Sequence, residues 1–389
     1  MKSIDSSTSS FKASEHQAAG HDGCMTSESL FIKPTTKQEL DFYTETVRRD
    51  GIKEDNTGED GVALGSLLSH WMPTFLGSLQ KGQLDKSVSV EDSLTSQDKE
   101  YIVLQNLYHG FKNPSILDIK LGSKLTDDSV TPPEKIKRLQ KVSDSTTSGS
   151  HSFRICGMKV YNGNTDNKPK EIFPGMSKTI TTVESEHSLD DTGKHYLVYD
   201  KIFGRSLDSS TIQQGLELYF HSISSNKLHF ICLITNFIHR LQLLYNCLLD
   251  YETRSFSASL LFIFESDPSK WENVSVEDFV DYDPLIKEFE LSDDDEEEDD
   301  NPSDGTAAIE KEGLDKVSKA YNIVKHTQLD DLNHESGERE TLGTPLSSLH
   351  LIDFAHSKYV DGEGYDENVI EGVENLIKIF QDIKQSYTK

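Results

Sequence analysis

The nonapeptide Pro114-Ser-Ile-Leu-Asp118-Ile-Lys120-Leu-Gly122 is the stretch that decides the fold. In a strand, successive side chains alternate between two faces, so Asp118 and Lys120 project from the same one. A carboxylate and an ammonium delivered into one cleft suit phosphoryl transfer, in which a protein positions the reactants and neutralises charge on the moving group. A salt-bridged pair at a strand end is the alternative interpretation of the same two residues.

Residues 16–110 contain short apolar runs separated by turn signals, a pattern typical of a small antiparallel sheet. The runs are SLFIKP, WMPTFLGSL and KEYIVLQNLYHG. Residues 39–48 predict a helix between them, whereas the Gly- and acid-rich segment 53–66 and the polar segment 83–99 predict loops. At 389 residues the chain is long enough for two lobes.

Beyond Pro114 the apolar spacing becomes helical. Thr131-Pro-Pro-Glu134 predicts a capping box, with a helix that runs to about residue 142. Its predicted inward stripe consists of Ile136, Leu139 and Val142. Its predicted cationic face consists of Lys137, Arg138 and Lys141. Further on, the pattern predicts a buried helix over 228–249, a strand over 348–354 and an amphipathic helix over 368–383.

Three segments are expected to lie outside the packed core. The Ser-rich residues 1–14 predict a disordered tail, and the polar segment 161–194 predicts a flexible insertion. Segment 267–345 contains eight consecutive carboxylates at 293–300, which repel one another and predict a disordered acidic insertion. The predicted division is therefore an N-lobe over 15–110 and a C-lobe over 111–389.

The net charge of −28 disfavours binding to nucleic acid or to an anionic membrane. Residues 112–141 are a local exception, with seven basic and four acidic residues. The four cysteines form no C-x-x-C pair, which indicates neither a zinc site nor a disulfide framework and suits a reducing compartment. Asn236, His239, Arg240 and Gln242 interrupt the apolar run 228–249, so no membrane span is expected.

Common nucleotide-binding signatures are missing from the sequence. The glycines at 77 and 82 have the P-loop spacing, but Gln83 follows where a lysine is needed. No G-x-G-x-x-G, HRD or DFG motif is present, which argues against a P-loop enzyme and an ordinary protein kinase.

The pattern P-x-x-x-D-x-K-x-G resembles the signature of the inositol polyphosphate kinase family. The resemblance extends over most of 16–380, apart from the insertions, and is greatest for the fungal multikinases. The other motifs that carry it are HQAAGHDG at 16–23, STTSGSHSFRICGM at 145–158, FGRS at 203–206, SLLF at 259–262, LIDFAH at 351–356 and GYDENVIEG at 364–372. The family implies an α+β fold of two lobes, distantly protein-kinase-like, with a small antiparallel-sheet N-lobe and a larger α+β C-lobe.

The resemblance also implies the nucleotide site. Lys33 matches a lysine that contacts ATP phosphates, and the backbone of Gln105 and Leu107 matches the hinge that holds adenine. Asp118 matches an aspartate near the ribose and the active centre. Asp353 matches an aspartate that ligates the metal, and Mg²⁺ with its preference for carboxylate oxygens suits that role.

The acceptor side follows in the same way. Lys120 matches a lysine that contacts both the transferred phosphate and the inositide, and His356 matches a histidine beside the acceptor hydroxyl. The matched inositide-binding positions are Lys137, Arg138, Lys141 and Lys201. Other members can carry glutamines where this chain has Lys137 and Arg138. These additional cations favour a more highly phosphorylated substrate, because each phosphate offers another charge-assisted contact. Ala258 stands where the family has a serine, so a hydroxyl contact at that position is in doubt.

Each assignment has a simpler alternative. Lys33 alone fits a surface lysine, Asp353 a helix cap, His356 a buried core histidine and Lys201 a basic turn. The motifs in the expected order favour the functional interpretation. The implied activity is an ATP- and Mg²⁺-dependent multikinase that converts inositol 1,4,5-trisphosphate to tetrakis- and pentakisphosphate at the 6 and 3 hydroxyls.

Two other functions stay open. One is an inositol hexakisphosphate kinase, because the signature is shared across the family. The other is a non-catalytic nuclear scaffold that uses the acidic run 293–300. The resemblance also implies a monomer in the nucleus and cytoplasm that binds transcription factors of an arginine-responsive complex, without direct contact to nucleic acid.

Overall fold

The structure is a computed structural model that describes residues 12–13, 23–27, 29–57, 62–79, 100–163, 168–184, 195–272 and 346–388. Two antiparallel sheets dominate these residues, one in each lobe, and two further strands of the C-lobe form a separate two-stranded ribbon. The expected α+β architecture of two lobes is confirmed.

The N-lobe is built on a five-stranded sheet of order β1-β2-β3-β5-β4. Its strands are β1 (Lys12–Ala13), β2 (Met25–Ser27), β3 (Leu30–Thr35), β4 (Phe75–Leu79) and β5 (Glu100–Gln105). Helix α1 (Lys37–Asn56) follows β3 and begins at Thr36, whose side chain accepts a hydrogen bond from the Glu39 amide. It is longer than the predicted helix over 39–48, so the predicted loop begins after the helix instead of at 53.

The C-lobe is built on a six-stranded sheet of order β12-β11-β6-β7-β9-β8. Its strands are β6 (Pro114–Leu121), β7 (Phe153–Tyr161), β8 (Ile180–Glu184), β9 (His195–Tyr199), β11 (Ser259–Glu265) and β12 (Ser347–Ile352). The ribbon pairs β10 (Thr253–Ser255) with β13 (Ser357–Tyr359). The signature strand β6 pairs with β11 on one side and β7 on the other, so it lies inside the sheet.

The helices of the C-lobe cover this sheet. They are α2 (Pro133–Asp144), α3 (Thr147–His151), α4 (Lys201–Ser206), α5 (Ile212–Glu217), α6 (Lys227–Leu249) and α7 (Glu367–Thr388). Phe262 of β11 packs between Phe237 of α6 and Phe380 of α7, with ring centroids 5.2 and 5.6 Å away. The buried helix predicted over 228–249 is confirmed as α6. Within the described ranges, no helix has the length and hydrophobicity needed to cross a bilayer.

Helix α1 of the N-lobe packs directly on the C-lobe. The Phe42 ring stacks on Phe354 with centroids 5.0 Å apart, and the Thr46 hydroxyl lies 2.8 Å from the Tyr359 hydroxyl. Arg49 donates to Asp361 at 2.7 Å. These contacts hold α1 against the segment that follows β12.

Three boundary predictions differ from the structure. The predicted capping box is wrong, because α2 begins after Pro132 and has no side-chain cap. The helices expected over about 127–160 begin at Pro133 and end at His151, and residues 153–160 belong to strand β7. The polar segment 161–194 was expected to be flexible, yet it includes β8, which pairs along its length with β9.

The described residues bear on only part of the other expected disordered segments. In the tail predicted over 1–14, residues 12–13 pair with β2. In the insertion predicted over 267–345, Asp267 caps a short 3-10 helix, Pro268–Lys270, and Trp271 is buried. The acidic run 293–300 lies outside the described residues.

Candidate active site

A cleft with an empty volume of about 680 Å³ opens between the two lobes. Its lining residues come from both sheets, from α1 and from the linker after β5. They are Cys24, Phe31, Lys33, Tyr43, Pro73, Leu104, Gln105, Leu107, Tyr108, Asp118, Leu261, Ile352 and Asp353. Five of the predicted site residues therefore lie around one cavity although they are far apart in the sequence: Lys33, Gln105, Leu107, Asp118 and Asp353.

The apolar end of the cleft suits an aromatic base. Phe31 and Leu104 belong to the N-lobe sheet, and Leu261 and Ile352 belong to the C-lobe sheet. The Gln105 amide already donates to the Thr74 carbonyl at 2.9 Å, so an adenine contact at Gln105 would use its carbonyl oxygen.

The polar end of the cleft is organised around Lys33 of β3. Its ammonium donates to Glu39 Oε1 and to Asp353 Oδ1, each at 2.9 Å. Burial alone would lower the pKa of Lys33, but the two carboxylates outweigh it and raise the pKa above its ordinary value. Lys33 is therefore a fixed positive charge at neutral pH, not a surface lysine.

Glu39 was missed by sequence reasoning. It is 1% exposed and accepts hydrogen bonds from Lys33, from the Thr35 hydroxyl at 2.8 Å and from the Phe354 amide at 3.3 Å. It thus links β3, α1 and the residue after Asp353. The available signal was a carboxylate in the first turn of a helix that follows the lysine strand, but that position is common for Glu in any helix.

Asp353 occupies a strained position just after β12. Its φ of +66° lies in the left-handed region, which a non-glycine residue adopts only when surrounding contacts hold it there. One carboxylate oxygen accepts from Lys33, and the other lies 3.8 Å from Lys120 Nζ. Because no helix begins at Asp353, the helix-cap alternative does not hold.

The residue types fit a magnesium ion held jointly with a nucleotide. Mg²⁺ in kinases is bound by one or two carboxylates plus substrate phosphates, and Asp118 and Asp353 both line the cleft. In the described part of the chain no group of three or more His, Cys, Asp or Glu side chains could hold a metal alone. The donor set therefore calls for phosphate oxygens to complete the coordination.

The predicted pair on β6 occupies one face of the strand. Asp118 is 5% exposed and lines the cleft, while Lys120 reaches Asp353. The expectation that the two side chains enter one site is consistent with this geometry. Gly122 follows the strand with a φ of +92°, and a Cβ there would lie 2.3 Å from Nδ2 of the Asn368 side chain. The glycine of the signature thus has a steric cause.

His356 follows Asp353 by three residues and does not line the cleft itself, but the charge of Lys120 acts on it. Partial burial lowers its pKa from the ordinary value, and the positive charges of Lys135 and Lys120 lower it further. The neutral imidazole is therefore the form present at neutral pH. Lys135 was not among the predicted site residues, although its positive charge acts on His356.

Helix α2 presents two different cationic faces. Lys135 and Arg138 are three residues apart and share one face, whereas Lys137 and Lys141 are four apart and share another. The second pair borders a shallow open surface together with Pro133, Ile136, Gln140 and Asp144. The inositide-binding roles predicted for Lys137 and Lys141 stay predictions. Among the cations of α2, the charge of Lys135 acts on His356, so Lys135 joins the predicted residues as a candidate for binding the inositide.

Arg154 is a second residue that sequence reasoning missed. It is opposite Lys120 in the β6–β7 register, 8% exposed, and donates to the Ser148 hydroxyl at 2.8 Å. Burial lowers its pKa, and the field of Arg205 on α4 adds to this. A buried guanidinium beside Lys120 adds positive charge where phosphates would bind.

The predicted residue Lys201 is exposed at the start of α4. The same helix is held close to β7 by Gly204, where a Cβ would lie 1.8 Å from the Ile155 carbonyl oxygen. This approach brings Arg205 near Arg154. The structure thus places the FGRS motif beside the cationic region, while direct contact by Lys201 stays a prediction.

Comparison with known proteins agrees with this geometry. Residues 101–381 match the family model described as inositol polyphosphate kinase. The inositol polyphosphate multikinase of Saccharomyces cerevisiae is 36% identical over 95% of this chain and 98% of its own length. That of Schizosaccharomyces pombe is 31% identical over 64% of this chain and 77% of its own.

A solved structure supports the same relationship. The crystal structure of the S. cerevisiae inositol phosphate multikinase in complex with ADP and Mn²⁺ is similar with a TM-score of 0.56. The two are 32% identical, and the match covers 91% of this chain and 99% of that one. Together with the family model, the lysines and carboxylates gathered in the interlobe cleft show that this chain belongs to the inositol polyphosphate kinase family.

Proposed function

We propose that the chain is an ATP-dependent multikinase that phosphorylates inositol 1,4,5-trisphosphate at the 6 and 3 hydroxyls to give tetrakis- and pentakisphosphate. The observation that best supports this proposal is that Lys33 and Lys120 lie beside different oxygens of the Asp353 carboxylate. Both named multikinases above support the choice of activity within the family.

The two sides of the cleft suit two substrates. The apolar end accommodates adenine, which directs the triphosphate toward Lys33 and Asp353. Mg²⁺, when bound through Asp353, would neutralise charge on the phosphates and orient them. The S. cerevisiae relative was crystallised with ADP and Mn²⁺, which supports a nucleotide with a divalent cation here.

On the acceptor side the cations position the inositol ring. Lys135, Arg138 and Arg154 would bind existing phosphates and place one free hydroxyl in line with the γ-phosphorus. The hydroxyl oxygen forms the new P–O bond as the bond to the β-phosphate oxygen breaks, and ADP leaves. His356 is the proposed acceptor of the hydroxyl proton, and its lowered pKa, which favours the neutral imidazole, supports this role.

Incubation with ATP, Mg²⁺ and a panel of inositol phosphates, followed by product chromatography, tests this function. We expect inositol trisphosphate to be converted to products with one and two more phosphates. We expect kcat to fall at least about 100-fold in Lys120→Ala and in Asp353→Asn, because each substitution removes charge that stabilises the transferring phosphoryl group. Pyrophosphate products from inositol hexakisphosphate alone would instead establish the hexakisphosphate kinase. Transfer undiminished in Lys120→Ala would refute the assigned role.

The remaining expectations are proposals that rest on the resemblance. They are placement in the nucleus and cytoplasm, a monomeric state, and binding of transcription factors of an arginine-responsive complex. Deletion of residues 293–300, with partner capture measured beside kinase activity, separates a scaffold role from catalysis. Equal capture by the deleted form would remove the acidic run from the scaffold hypothesis.

A further inference from the structure

Strand β13 begins directly after His356, and its three residues contact two other parts of the molecule. The Ser357 carbonyl accepts from the Gln38 side chain at 3.2 Å. The Tyr359 hydroxyl lies 2.8 Å from that of Thr46. Lys358, between them, forms an ion pair with Asp127. The first two contacts reach α1, and the third reaches the loop that leads into α2.

Asp127 is well suited to hold that loop in place. Its Oδ1 accepts from both the amide and the hydroxyl of Ser129, at 3.0 and 2.5 Å, while its Oδ2 accepts from Lys358. Burial would raise the pKa of this carboxyl, but the hydrogen bonds from Lys358 and Ser129 lower it to about 2. Asp127 is therefore ionised at neutral pH. Its field also reaches His356.

Helix α2 has little packing of its own to fix its direction. Of its residues only Ser143 is buried, and the hydroxyl of Ser143 donates to the Ser123 carbonyl at 2.6 Å. That anchor lies at the C-terminal end of the helix. Lys135 and Arg138 lie in the N-terminal half, close to the loop that Asp127 organises. Their distance from His356 therefore depends on how this loop is held.

Resting on the multikinase function proposed above, we propose that Lys358 is a positioning residue for the inositol phosphate. Through Asp127 it fixes the N-terminal half of α2, and with it Lys135 and Arg138, relative to His356. The ammonium of Lys358 serves the substrate indirectly, by holding the helix that binds it. The rival interpretation is that Lys358 contacts a substrate phosphate itself.

Charge-removing substitutions on each side of the ion pair distinguish these two roles. Lys358→Met removes the ammonium and keeps most of the aliphatic chain. Asp127→Asn removes the charge but keeps Oδ1 as an acceptor for Ser129, so the turn survives. Lys378→Met, on α7, is the matched control, because Lys378 forms an exposed ion pair with Glu374 away from the cleft.

The measurements are KM for inositol 1,4,5-trisphosphate, KM for ATP and kcat, with circular dichroism and thermal denaturation as checks of the fold. We expect each single substitution to raise KM for the inositol phosphate about 2- to 5-fold, the range of a partly exposed charge pair, with KM for ATP unchanged. The double variant should be no worse than either single variant, because both remove the same tie.

Other outcomes overturn the proposal in recognisable ways. If Lys358 binds phosphate directly, Asp127→Asn leaves the KM for the inositol phosphate unchanged or lowers it, since it frees the ammonium. Multiplicative effects in the double variant would show two independent roles. A shift no larger than that of Lys378→Met would remove the positioning role. Failure of the unsubstituted protein to phosphorylate any inositol phosphate would refute the proposed function itself, and would be seen before any variant is compared.

Discussion

Replacement of Glu39 by Gln removes one negative charge from the polar end of the cleft with almost no change of shape. The Gln oxygen can still accept from Lys33 or from the Phe354 amide, so the local hydrogen bonds are weakened more than deleted. Lys33 then has Asp353 as its remaining charged partner. We expect the ammonium to associate more closely with Asp353 and to compete with a metal ion for that carboxylate.

The magnitude follows from the geometry. At 2.9 Å, the attraction between Lys33 and Glu39 is about 6 kcal/mol with an effective dielectric constant of about 20. Desolvation of both groups offsets most of this, which leaves a net contribution of about 2 kcal/mol, typical of a hydrogen bond to a charged group. That loss corresponds to a fall of about 4–8 °C in Tm for a cooperatively unfolding domain of about 150–250 residues. If the interaction with Glu39 also aligns Lys33 in the transition state, the loss of about 2 kcal/mol corresponds to about a 30-fold fall in kcat.

Thermal denaturation and initial rates of phosphate transfer, measured over a range of Mg²⁺ concentrations, test this expectation. The control is Glu374→Gln on α7, which breaks an exposed i,i+4 pair and should change stability by less than about 0.5 kcal/mol. A rise in the Mg²⁺ concentration needed for half-maximal rate is expected only for Glu39→Gln. The reasoning is refuted if the two variants have the same Tm, rate and Mg²⁺ requirement.

Two further expectations follow from the site. Lys135→Met should raise the pKa of His356, because it removes a positive charge that lowers this pKa, and so shift the acidic limb of the kcat/KM profile to higher pH. Lys137→Met should shift that limb less. Equal shifts in the two variants would contradict the assignment of Lys135 as the charge that acts on His356. Gly122→Ala should cost about 2–4 kcal/mol, against about 1 kcal/mol for Gly362→Ala, in denaturant unfolding. Both glycines have positive φ, but only at Gly122 would a Cβ meet a neighbour within 4 Å, so equal costs would contradict the steric account.

The parts of the fold that the sequence predicts well have strong local patterns. The signature strand is one, since Pro114 can begin a strand, a run of apolar residues fills it and Gly122 ends it. Helices α6 and α7 are others, because their apolar spacing continues over many turns. Segment 176–184 was misjudged because its strand is short and polar, and its stability comes from pairing with β9 instead of from its own composition.

The site was predicted as far as its residues lie in recognisable motifs. Lys33, Asp118 and Asp353 were expected in one cleft, and the structure places them around it. Glu39 was missed because its importance arises from contacts with residues distant in the sequence, such as Phe354. Arg154 lies within the motif at 145–158, but its role was missed because it depends on the pairing of β7 with β6, which places it opposite Lys120. A buried charge in an ordinary helix or strand position leaves no local pattern, so only the folded geometry identifies it.

The assignment of the cations on α2 shows the same limit. The helical period separates Lys137 and Lys141 from the predicted inward stripe of Ile136, Leu139 and Val142. Which cations of the helix serve the acceptor site depends on how the helix packs against the rest of the C-lobe. Lys135 is one of the two positive charges that lower the pKa of His356, a relation between residues distant in the sequence that no helical period could show.

The strained conformation of Asp353 connects these observations. A left-handed aspartate costs about 1–3 kcal/mol and persists only when its surroundings hold it. Its surroundings are Lys33 on one oxygen, Lys120 near the other and the Glu39 contact with the next amide. Because these three residues come from β3, β6 and α1, the carboxylate of Asp353 is oriented only when both lobes are in place. Each lobe alone should therefore lack the site, even where its sheet is intact.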